Sequence, residues 1–218
     1  MRCTAPLLAA CAAALVPAEG RAGNAAPFCE LSQLRPGLPG DIEIPTLSTS
    51  DGHTIYCVYS NNTQGIYIQA TRDSGLTWSD PVQIMEPGPR YTTDANILVD
   101  GDRLIVVATH VIDLPEQPGH LARSEFLACV SDNGGQTWSE ARLVAEGAFA
   151  DPVLLIAAAG QPHLLWQDAD QGHAVWHSWS ADGGEAWSLP MRVRGLADLS
   201  GGAGVAVTAL DALFFHLY

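Results

Sequence analysis

The sequence predicts an all-β fold built as an array of like antiparallel units, and three observations support this prediction. An eight-residue phrase occurs three times and ends in Trp78, Trp138 and Trp187, so the copies are 60 and 49 residues apart. Self-similarity at such a period indicates repeated structural units. Short β-branched and aromatic runs flank every copy, as is typical of strands. Asp-Gly dipeptides at 51–52 and 100–101 are strong hairpin signals between further runs of the same kind.

The repeated phrase has the frame Ser/Thr-x-Asp/Asn-x-Gly-x-Thr/Ala-Trp, in which each fixed position has a physical role. Asp or Asn closes a tight turn by bonding its own backbone a residue or two onward, and the Ser/Thr hydroxyl adds a second such bond. The glycine supplies a positive φ without steric cost, and the tryptophan buries a large ring where the next strand begins. The phrase therefore predicts a hairpin with a pinned turn. The copies span 71–78, 131–138 and 180–187, with Asp73, Gly75 and Trp78, then Asn133, Gly135 and Trp138, then Asp182, Gly184 and Trp187 at the fixed positions.

The phrase resembles the Asp box, also called the BNR repeat, of sialidases and related secreted proteins. The resemblance implies a β-propeller of four-stranded antiparallel blades of the sialidase type over residues 41–218. In that family each box joins the third and fourth strands of a blade. The boxes lie on the face away from the active site, so the resemblance implies a structural role for all of their residues.

The other strands follow in order once the boxes are placed, because short apolar runs bounded by turn residues occupy the expected positions. The predicted strands are 42–47, 54–59, 65–70 and 81–84 in the first blade; 95–99, 103–108, 125–130 and 141–144 in the second; 152–157, 163–166, 174–179 and 190–193 in the third; and 204–208 and 213–218 in a fourth. About three and a half blades are thus encoded. Because propellers close on themselves with more units, we expect a fragment of a six-bladed propeller. If the chain is instead complete, self-association would cover its open edges.

Charge and the N-terminal segment predict partners and location. The formal net charge is −14 and all 10 basic residues are arginine, which argues against nucleic acid and anionic membranes as partners. The resemblance to sialidases implies a glycan or glycoconjugate as the partner. Residues 1–25 resemble a secretory signal, with Arg2 before an apolar stretch too short to span a membrane. Residues 26–40 are a predicted linker. We expect a secreted or periplasmic protein; the short apolar run before Cys11 argues against lipoprotein anchoring.

Three carboxylates are candidate catalytic residues. In a propeller, the loops that enter each first strand and those that join second to third strands lie opposite the boxes, on the face where the resemblance implies that ligands bind. Glu43, Asp94 and Asp151 enter three successive first strands, which converge on the central axis. Converging carboxylates suit general acid/base cleavage of a glycoside, or a bound Ca²⁺ ion. Alternatively, each side chain caps a strand entry by bonding backbone amides. No other cofactor or metal site is predicted.

Six further residues on the same face are predicted to contact a substrate: Arg90, Tyr91, Asn96, His110, Asp113 and Arg123. The stretch from His110 to Ser124 is the longest predicted insertion, and long loops inside compact folds are often functional. Asp168 and Asp170, by contrast, predict a simple polar turn.

One motif departs from the sialidase pattern. The resemblance implies an exo-acting, sialidase-like glycoside hydrolase, whose first blade begins with Tyr/Phe-Arg-Ile-Pro and whose arginines clamp the substrate carboxylate. This chain has Ile42-Glu43-Ile44-Pro45 in that position. Since Glu43 would repel an anionic sugar, we predict a glycoside hydrolase with a different substrate. The alternative is a non-catalytic propeller that binds glycan or protein at the cell surface.

Overall fold

The described part of the chain consists of strands and turns. The computed structural model describes residues 46–48, 52–61, 63–113, 122–148, 154–158, 160–168, 174–193, 203–207 and 213–217. These residues contain fourteen β-strands and no helix, so the all-β prediction is confirmed. Accordingly, no helix with the length and apolar character of a membrane span occurs within these ranges. The predicted signal sequence (1–25) and linker (26–40) lie outside the described residues.

The strands form three four-stranded sheets and one two-stranded sheet, all antiparallel and each ordered along the chain. Sheet 1 contains β1 (Thr46–Ser48), β2 (Ile55–Asn61), β3 (Gly65–Thr71) and β4 (Val82–Met85). Sheet 2 contains β5 (Tyr91–Asp100), β6 (Arg103–Asp113), β7 (Arg123–Ser131) and β8 (Arg142–Ala148). Sheet 3 contains β9 (Leu154–Ala158), β10 (Gln161–Asp168), β11 (Ala174–Trp179) and β12 (Met191–Arg192), and sheet 4 contains β13 (Ala203–Val207) and β14 (Leu213–Leu217).

Sheet 2 differs most from the sequence prediction. Strand β5 begins earlier and β6 ends later than predicted, because Tyr91 pairs with Val111 and the Arg90 amide donates to the Val111 carbonyl at 3.2 Å. The predicted loop from His110 to Ser124 is therefore wrong at both ends, since β6 runs to Asp113 and β7 begins ten residues later. Cross-strand hydrogen bonds on both sides hold these residues in the ladder, and a loop would leave the same backbone groups without those bonds.

Two apolar clusters join successive sheets face to face. Val58 of sheet 1 and Val106 of sheet 2 belong to the first cluster, and both are fully buried. The second cluster lies between sheets 2 and 3, where the Trp166 ring lies 5.3 Å from the Phe126 ring, beside the buried Leu164. Burial of apolar surface on both faces of sheet 2 contributes about 25 cal/mol per Å². The sheets stack as the predicted blades would.

The three repeated phrases form the turns between third and fourth strands, as predicted. In the first, the Asp73 carboxylate accepts hydrogen bonds from the Thr77 amide at 2.8 Å and from its hydroxyl at 2.6 Å. The Thr71 hydroxyl accepts from the Gly75 amide at 2.9 Å and donates to Asp73 at 2.8 Å. The other three bonds recur around Asn133 and Asp182, whereas the Thr137 hydroxyl accepts from Asn133 Nδ2 and Ala186 has no hydroxyl.

Each box has two consecutive residues with positive φ, where the sequence predicted only one. The residue before the glycine that all three boxes share also has a left-handed backbone: Ser74 has a φ of 60°, Gly134 of 65° and Gly183 of 75°. A non-glycine residue is disfavoured in this region, so the first box carries backbone strain that the other two avoid.

The box frame is one residue longer than predicted, because a serine follows every tryptophan. In the second box, the Ser139 amide donates to the Val130 carbonyl at 2.8 Å, and its hydroxyl accepts from the Val130 amide at 3.0 Å. Ser79 and Ser188 make the equivalent bonds in the other boxes. This serine therefore starts the pairing of the fourth strand with the third.

The box turns share one end of the sheets with the turn between β5 and β6. The Gly134 amide of the second box donates to the Asp102 carbonyl at 2.8 Å. Arg103 binds the third box, with Nε donating to the Gly183 carbonyl at 2.9 Å and Nη2 to the Asp182 carbonyl at 3.1 Å. We call this end the box face. The opposite end, where second strands end and first strands begin, is the loop face.

Candidate functional site at the loop face

Buried polar side chains are concentrated at the loop-face ends of the second strands. Each of the three second strands carries two consecutive polar residues whose exposed fraction is between 0% and 7%; the pair ends β2 and β10, and three further residues follow it in β6. These pairs are Ser60 and Asn61 in sheet 1, Thr109 and His110 in sheet 2, and Gln167 and Asp168 in sheet 3. Polar groups are rarely buried without a specific role, so the recurrence of these pairs marks a candidate site.

The three pairs are structurally equivalent. In each second strand, one residue lies opposite the first residue of a box: Ile55 and Leu104 are its register partners in sheets 1 and 2, and the Pro162 carbonyl accepts a hydrogen bond from the Ser180 amide in sheet 3. The polar pair follows five and six residues later in every sheet. Because side chains alternate along a strand, the two members of each pair lie on opposite faces of their sheet.

Several of these buried groups have no hydrogen-bond partner among the described residues. Ser60 Oγ, Thr109 Oγ1 and His110 Nε2 make no hydrogen bond to the described residues. Ser124 Oγ, at the loop-face start of β7, is also buried and makes no hydrogen bond to the described residues. Each such group costs about 1–3 kcal/mol of desolvation free energy.

Asp94 occupies a strained position on the first strand of sheet 2. Its φ is 41°, and the pairing of β5 with β6 shifts between Thr93 and Ala95, so Asp94 is the extra residue of a β-bulge. Such strain costs about 1–3 kcal/mol, and bulges re-aim side chains beside functional sites. The Thr46 hydroxyl donates to the Ala95 carbonyl at 2.7 Å, which ties sheet 1 to the residue after the bulge.

The buried polar character continues beside the bulge. Thr92 and Thr93 are 0% and 6% exposed. The Thr92 hydroxyl accepts a hydrogen bond from the Gly88 amide at 2.8 Å, so the loop that enters sheet 2 packs over this strand. This end of sheet 2 therefore combines a strained carboxylate with a layer of buried hydroxyl groups.

Of the three candidate catalytic carboxylates, only Asp94 can be placed. Glu43 and Asp151 lie outside the described residues, so the convergence of the three side chains stays a prediction, as does a Ca²⁺ ion between them. Among the described residues, no three His, Cys, Asp or Glu side chains are grouped as metal ligands.

The predicted substrate-binding residues divide into a rim and an interior. Arg90 is exposed just before β5. Asp113 and Arg123 are also exposed, and they lie opposite each other in the strand register, at the end of β6 and the start of β7. Arg123 Nη2 lies 3.6 Å from the Glu146 carboxylate. Because this ion pair is exposed, it contributes little to stability and leaves the guanidinium accessible.

The other predicted contacts are strand residues. Tyr91 begins β5, and Asn96 is half-buried further along it, paired with Val107. His110 is 6% exposed on the side of β6 that faces sheet 1, and burial lowers its pKa from the ordinary value. His110 therefore lies between sheets 1 and 2, whereas Arg90, Asp113 and Arg123 are exposed at the rim.

Ser60 and Thr109 were not among the predicted site residues, and the prediction for Asp168 was wrong. Asp168 was predicted to lie in a polar turn, but it is the last residue of β10 and is 7% exposed. The signal was present in the sequence, because two polar residues follow an apolar run at a constant distance from the residue bonded to the box. That distance can be read only once the pairing of each second strand with the third strand of its sheet is known.

The comparisons with known proteins agree with this architecture. The family described as "BNR repeat-like domain" matches residues 30–164. None of the curated proteins matches the chain.

Three solved structures show the same fold. The Hadza microbial sialidase Hz136 is 19% identical, with a TM-score of 0.50 over 67% of this chain and 36% of its own. An α-L-arabinanase of Penicillium chrysogenum, complexed with arabinobiose, is 13% identical, with a TM-score of 0.51 over 69% of this chain and 49% of its own. An ulvan lyase of polysaccharide lyase family 25 is 14% identical, with a TM-score of 0.51 over 75% of this chain and 42% of its own. This chain thus spans less than half the length of each.

Proposed function

Because this chain belongs to the family of BNR repeat-like domains, within the sialidase-like superfamily, we propose that it is part of a secreted propeller that binds a neutral glycan on its loop face and cleaves it as an exo-acting glycoside hydrolase. A glycan is supported by the names of the similar structures, which act on or hold carbohydrates. The matched part of this chain covers less than half of each of those proteins, so the activity is proposed for a propeller of which these sheets are one part.

The observation that carries this proposal is the repeated pair of buried polar residues. Hydroxyl and amide groups both donate and accept hydrogen bonds, as sugar hydroxyls do. Four of the six residues carry such uncharged groups, and none is arginine. An anionic sugar requires arginine to clamp its carboxylate, whereas a neutral sugar requires the groups that are present. The replacement of the family's arginine by Glu43 supports the same substrate class.

Asp94 is proposed as a catalytic carboxylate. Hydrolysis of a glycosidic bond uses two carboxyl groups on either side of it, one as acid and the other as base or nucleophile. The strained bulge that presents Asp94 supports a role beyond strand formation. The proposal gives the second role to Glu43 or Asp151, which enter the neighbouring first strands in the predicted layout.

A non-catalytic glycan-binding propeller is the second candidate. It is favoured by the composition of the buried pairs, which supply hydrogen bonds but only one carboxylate, Asp168. Asp94 would then have a structural role, because a short acidic side chain in a left-handed conformation can bond nearby backbone amides.

The test measures hydrolysis by the full-length protein. A panel of neutral 4-nitrophenyl glycosides and one sialoside is assayed, and binding is measured in parallel on a glycan array. We expect a neutral glycoside to be cleaved, and Asp94→Asn to lower kcat by about 10²–10⁴-fold with little change in KM. Release of sialic acid would overturn the neutral substrate. Glycan binding without hydrolysis would establish the second candidate.

A further inference from the structure

A small polar cleft lies at the box face, between sheets 1 and 2. It encloses about 230 Å³, below the roughly 300–1,000 Å³ that drug-sized ligands occupy, so it suits a smaller molecule. Its walls include Thr54 at the start of sheet 1, Arg72 of the first box, and Asn133, Gly134 and Gln136 of the second box. The cleft is at the opposite end of the sheets from the loop-face site, so a ligand here would be independent of the proposed glycan.

The same position between sheets 2 and 3 is filled by a side chain. Arg103 there is equivalent to Thr54 here, because each comes directly before the strand residue that pairs with the first residue of a box. The Arg103 guanidinium lies over Gly183, where Nε donates to the Gly183 carbonyl at 2.9 Å and Nη2 to the Asp182 carbonyl at 3.1 Å. Thr54 is too short to fill the corresponding space, and that space is the cleft.

The cleft contains the counterparts of the two carbonyls that bind Arg103. Asn133 and Gly134 correspond to Asp182 and Gly183 in the box frame, and the two glycines have similar φ values of 65° and 75°. The carbonyls of Asn133 and Gly134 accept no hydrogen bond from the residues that the structure describes. The cleft therefore offers two carbonyl acceptors in the arrangement that binds a planar N–H fork one sheet away.

The charges around the two positions differ in a way that selects the ligand. Arg103 Nη1 lies 3.2 Å from Asp132, and Nη2 lies 3.8 Å from Glu185. In the box frame, Arg72 takes the place of Asp132, and Gln136 takes the place of Glu185. Arg72 forms no ion pair within the described ranges. A guanidinium in the cleft would therefore meet a like charge, whereas a neutral planar group with an acceptor in the place of Nη1 would be matched.

We propose that this cleft binds the ureido group of a small N-substituted urea. Such a urea is the neutral counterpart of the head of an arginine side chain, because its NH and NH₂ correspond to Nε and Nη2 and its carbonyl to Nη1. The N–H groups donate to the Asn133 and Gly134 carbonyls, and the urea carbonyl accepts from Arg72. Among the described residues that line the cleft, Asp102 carries the one other charge and balances Arg72, so a neutral ligand is suited.

The test compares two probes of the same shape that differ in charge. N-propylurea and N-propylguanidinium are titrated into the full-length protein, with binding followed by ligand-observed NMR. We expect N-propylurea to bind with a Kd of roughly millimolar magnitude and about fivefold more tightly than N-propylguanidinium. Because the chain has a formal net charge of −14, non-specific attraction favours the cation, so a preference for the neutral probe would report the cleft.

Variants assign this preference to Arg72. Arg72→Asp supplies the acidic partner that Arg103 has, so it should reverse the preference and favour N-propylguanidinium by about fivefold. The matched control Arg142→Asp makes the same charge change at an exposed arginine outside the cleft and should leave the preference unchanged. The double variant Thr54→Arg/Arg72→Asp copies the filled position, so it should abolish binding of both probes.

Four results would overturn the proposal: no binding of N-propylurea at millimolar concentrations, N-propylguanidinium binding as tightly as N-propylurea or more tightly, equal effects of Arg72→Asp and Arg142→Asp, or full binding in a folded double variant. The Arg72 side chain is exposed and makes no hydrogen bond or ion pair with the described residues, so Arg72→Asp should fold and the test does not require the double variant.

Discussion

The box aspartates show how local bonds set the protonation of single residues. The hydroxyl and amide of Thr77, together with the Thr71 hydroxyl, lower the pKa of Asp73 from 3.8 to about 2. The Ala186 amide and the Ser180 hydroxyl lower the pKa of Asp182 in the same way. Asn133 accepts the equivalent amide bond in the second box but cannot titrate. The boxes thus differ in acid sensitivity while sharing one geometry.

We predict that the first and third boxes contribute to acid unfolding. Because the folded pKa of Asp73 is depressed, its contribution to stability is complete above the unfolded pKa and is lost as the pH falls from about 4 to about 2. Asp73→Asn should therefore reduce the slope of unfolding free energy against pH in this window, and Asn133→Asp should increase it. Urea unfolding between pH 5 and pH 2 measures both slopes. Unchanged slopes in both variants would contradict the assignment.

The box tryptophans differ in their indole N–H groups. Trp138 Nε1 donates to the Gly135 carbonyl and Trp187 Nε1 to the Gly184 carbonyl, both at 3.1 Å. Trp78 Nε1 is buried and has no partner within the described ranges. The same residue in the same frame is therefore satisfied in two boxes and not in the third.

Phenylalanine substitutions should reveal this difference. Trp138→Phe removes a hydrogen bond and should cost about 0.5–1.5 kcal/mol beyond the loss of ring size. Trp78→Phe removes an unsatisfied donor, so it should cost less by about that amount. Unfolding free energies from urea titration give the comparison, and a larger loss for Trp78→Phe would show that its N–H is bonded.

At the scale of elements, the second strands combine a structural half with a polar half. Their box-face halves carry the apolar clusters, and their loop-face ends carry the buried polar pairs. A strand that served only the core would keep apolar residues to its end, because buried hydroxyl groups without partners destabilise the folded state. Each second strand therefore contributes less to folding stability than an apolar strand would, and it carries hydrogen-bonding groups at the loop face.

Two threonines of sheet 2 test this exchange. Thr109→Val removes a hydroxyl that has no partner in the described part of the chain, and it should stabilise the fold by about 1 kcal/mol while weakening glycan binding by the full-length protein. Thr92→Val removes the acceptor of the Gly88 amide and should destabilise by about 1 kcal/mol. Thermal unfolding and glycan titration of both variants provide the readout. A destabilised Thr109→Val would mean that its hydroxyl is satisfied.

At the scale of the whole molecule, Arg103 joins sheets 2 and 3 across the box face. Besides the two box carbonyls, its guanidinium lies 3.2 Å from Asp132 and 3.8 Å from Glu185. The guanidinium fork suits two carbonyls at once, whereas an ammonium cannot reproduce that geometry. This side chain thus connects two boxes of different sheets.

Arg103→Lys should accordingly destabilise the protein by about 1 kcal/mol, because one charge remains but the fork is lost. Arg142→Lys is the control, since Arg142 is exposed and contacts only Glu185 among the ion pairs of the described residues. We expect that control to change stability by less than about 0.5 kcal/mol. Melting temperatures measured at low and high salt would separate fork geometry from screened charge, and equal losses would contradict the prediction.

The features that could be predicted from the sequence are those that depend on near neighbours. The box turns rest on bonds between residues two and four apart, so the phrase alone locates them. The strand positions followed from apolar runs bounded by turn residues, and most observed strands lie within a few residues of the predicted ranges. Local chemistry and a repeated frame are therefore sufficient for the all-β fold and for the order of its strands.

The candidate site depended on contacts between distant residues. The guanidinium of Arg103 reaches the carbonyl of Gly183 across 80 positions of sequence, and the bulge at Asp94 exists only relative to its partner strand. Whether Thr109 and His110 are buried depends on the sheets packed against each face of β6. Strand alternation predicts two faces but not what covers them. The box frame thus determines the sheets, whereas the stacking of the sheets on one another buries the polar pairs.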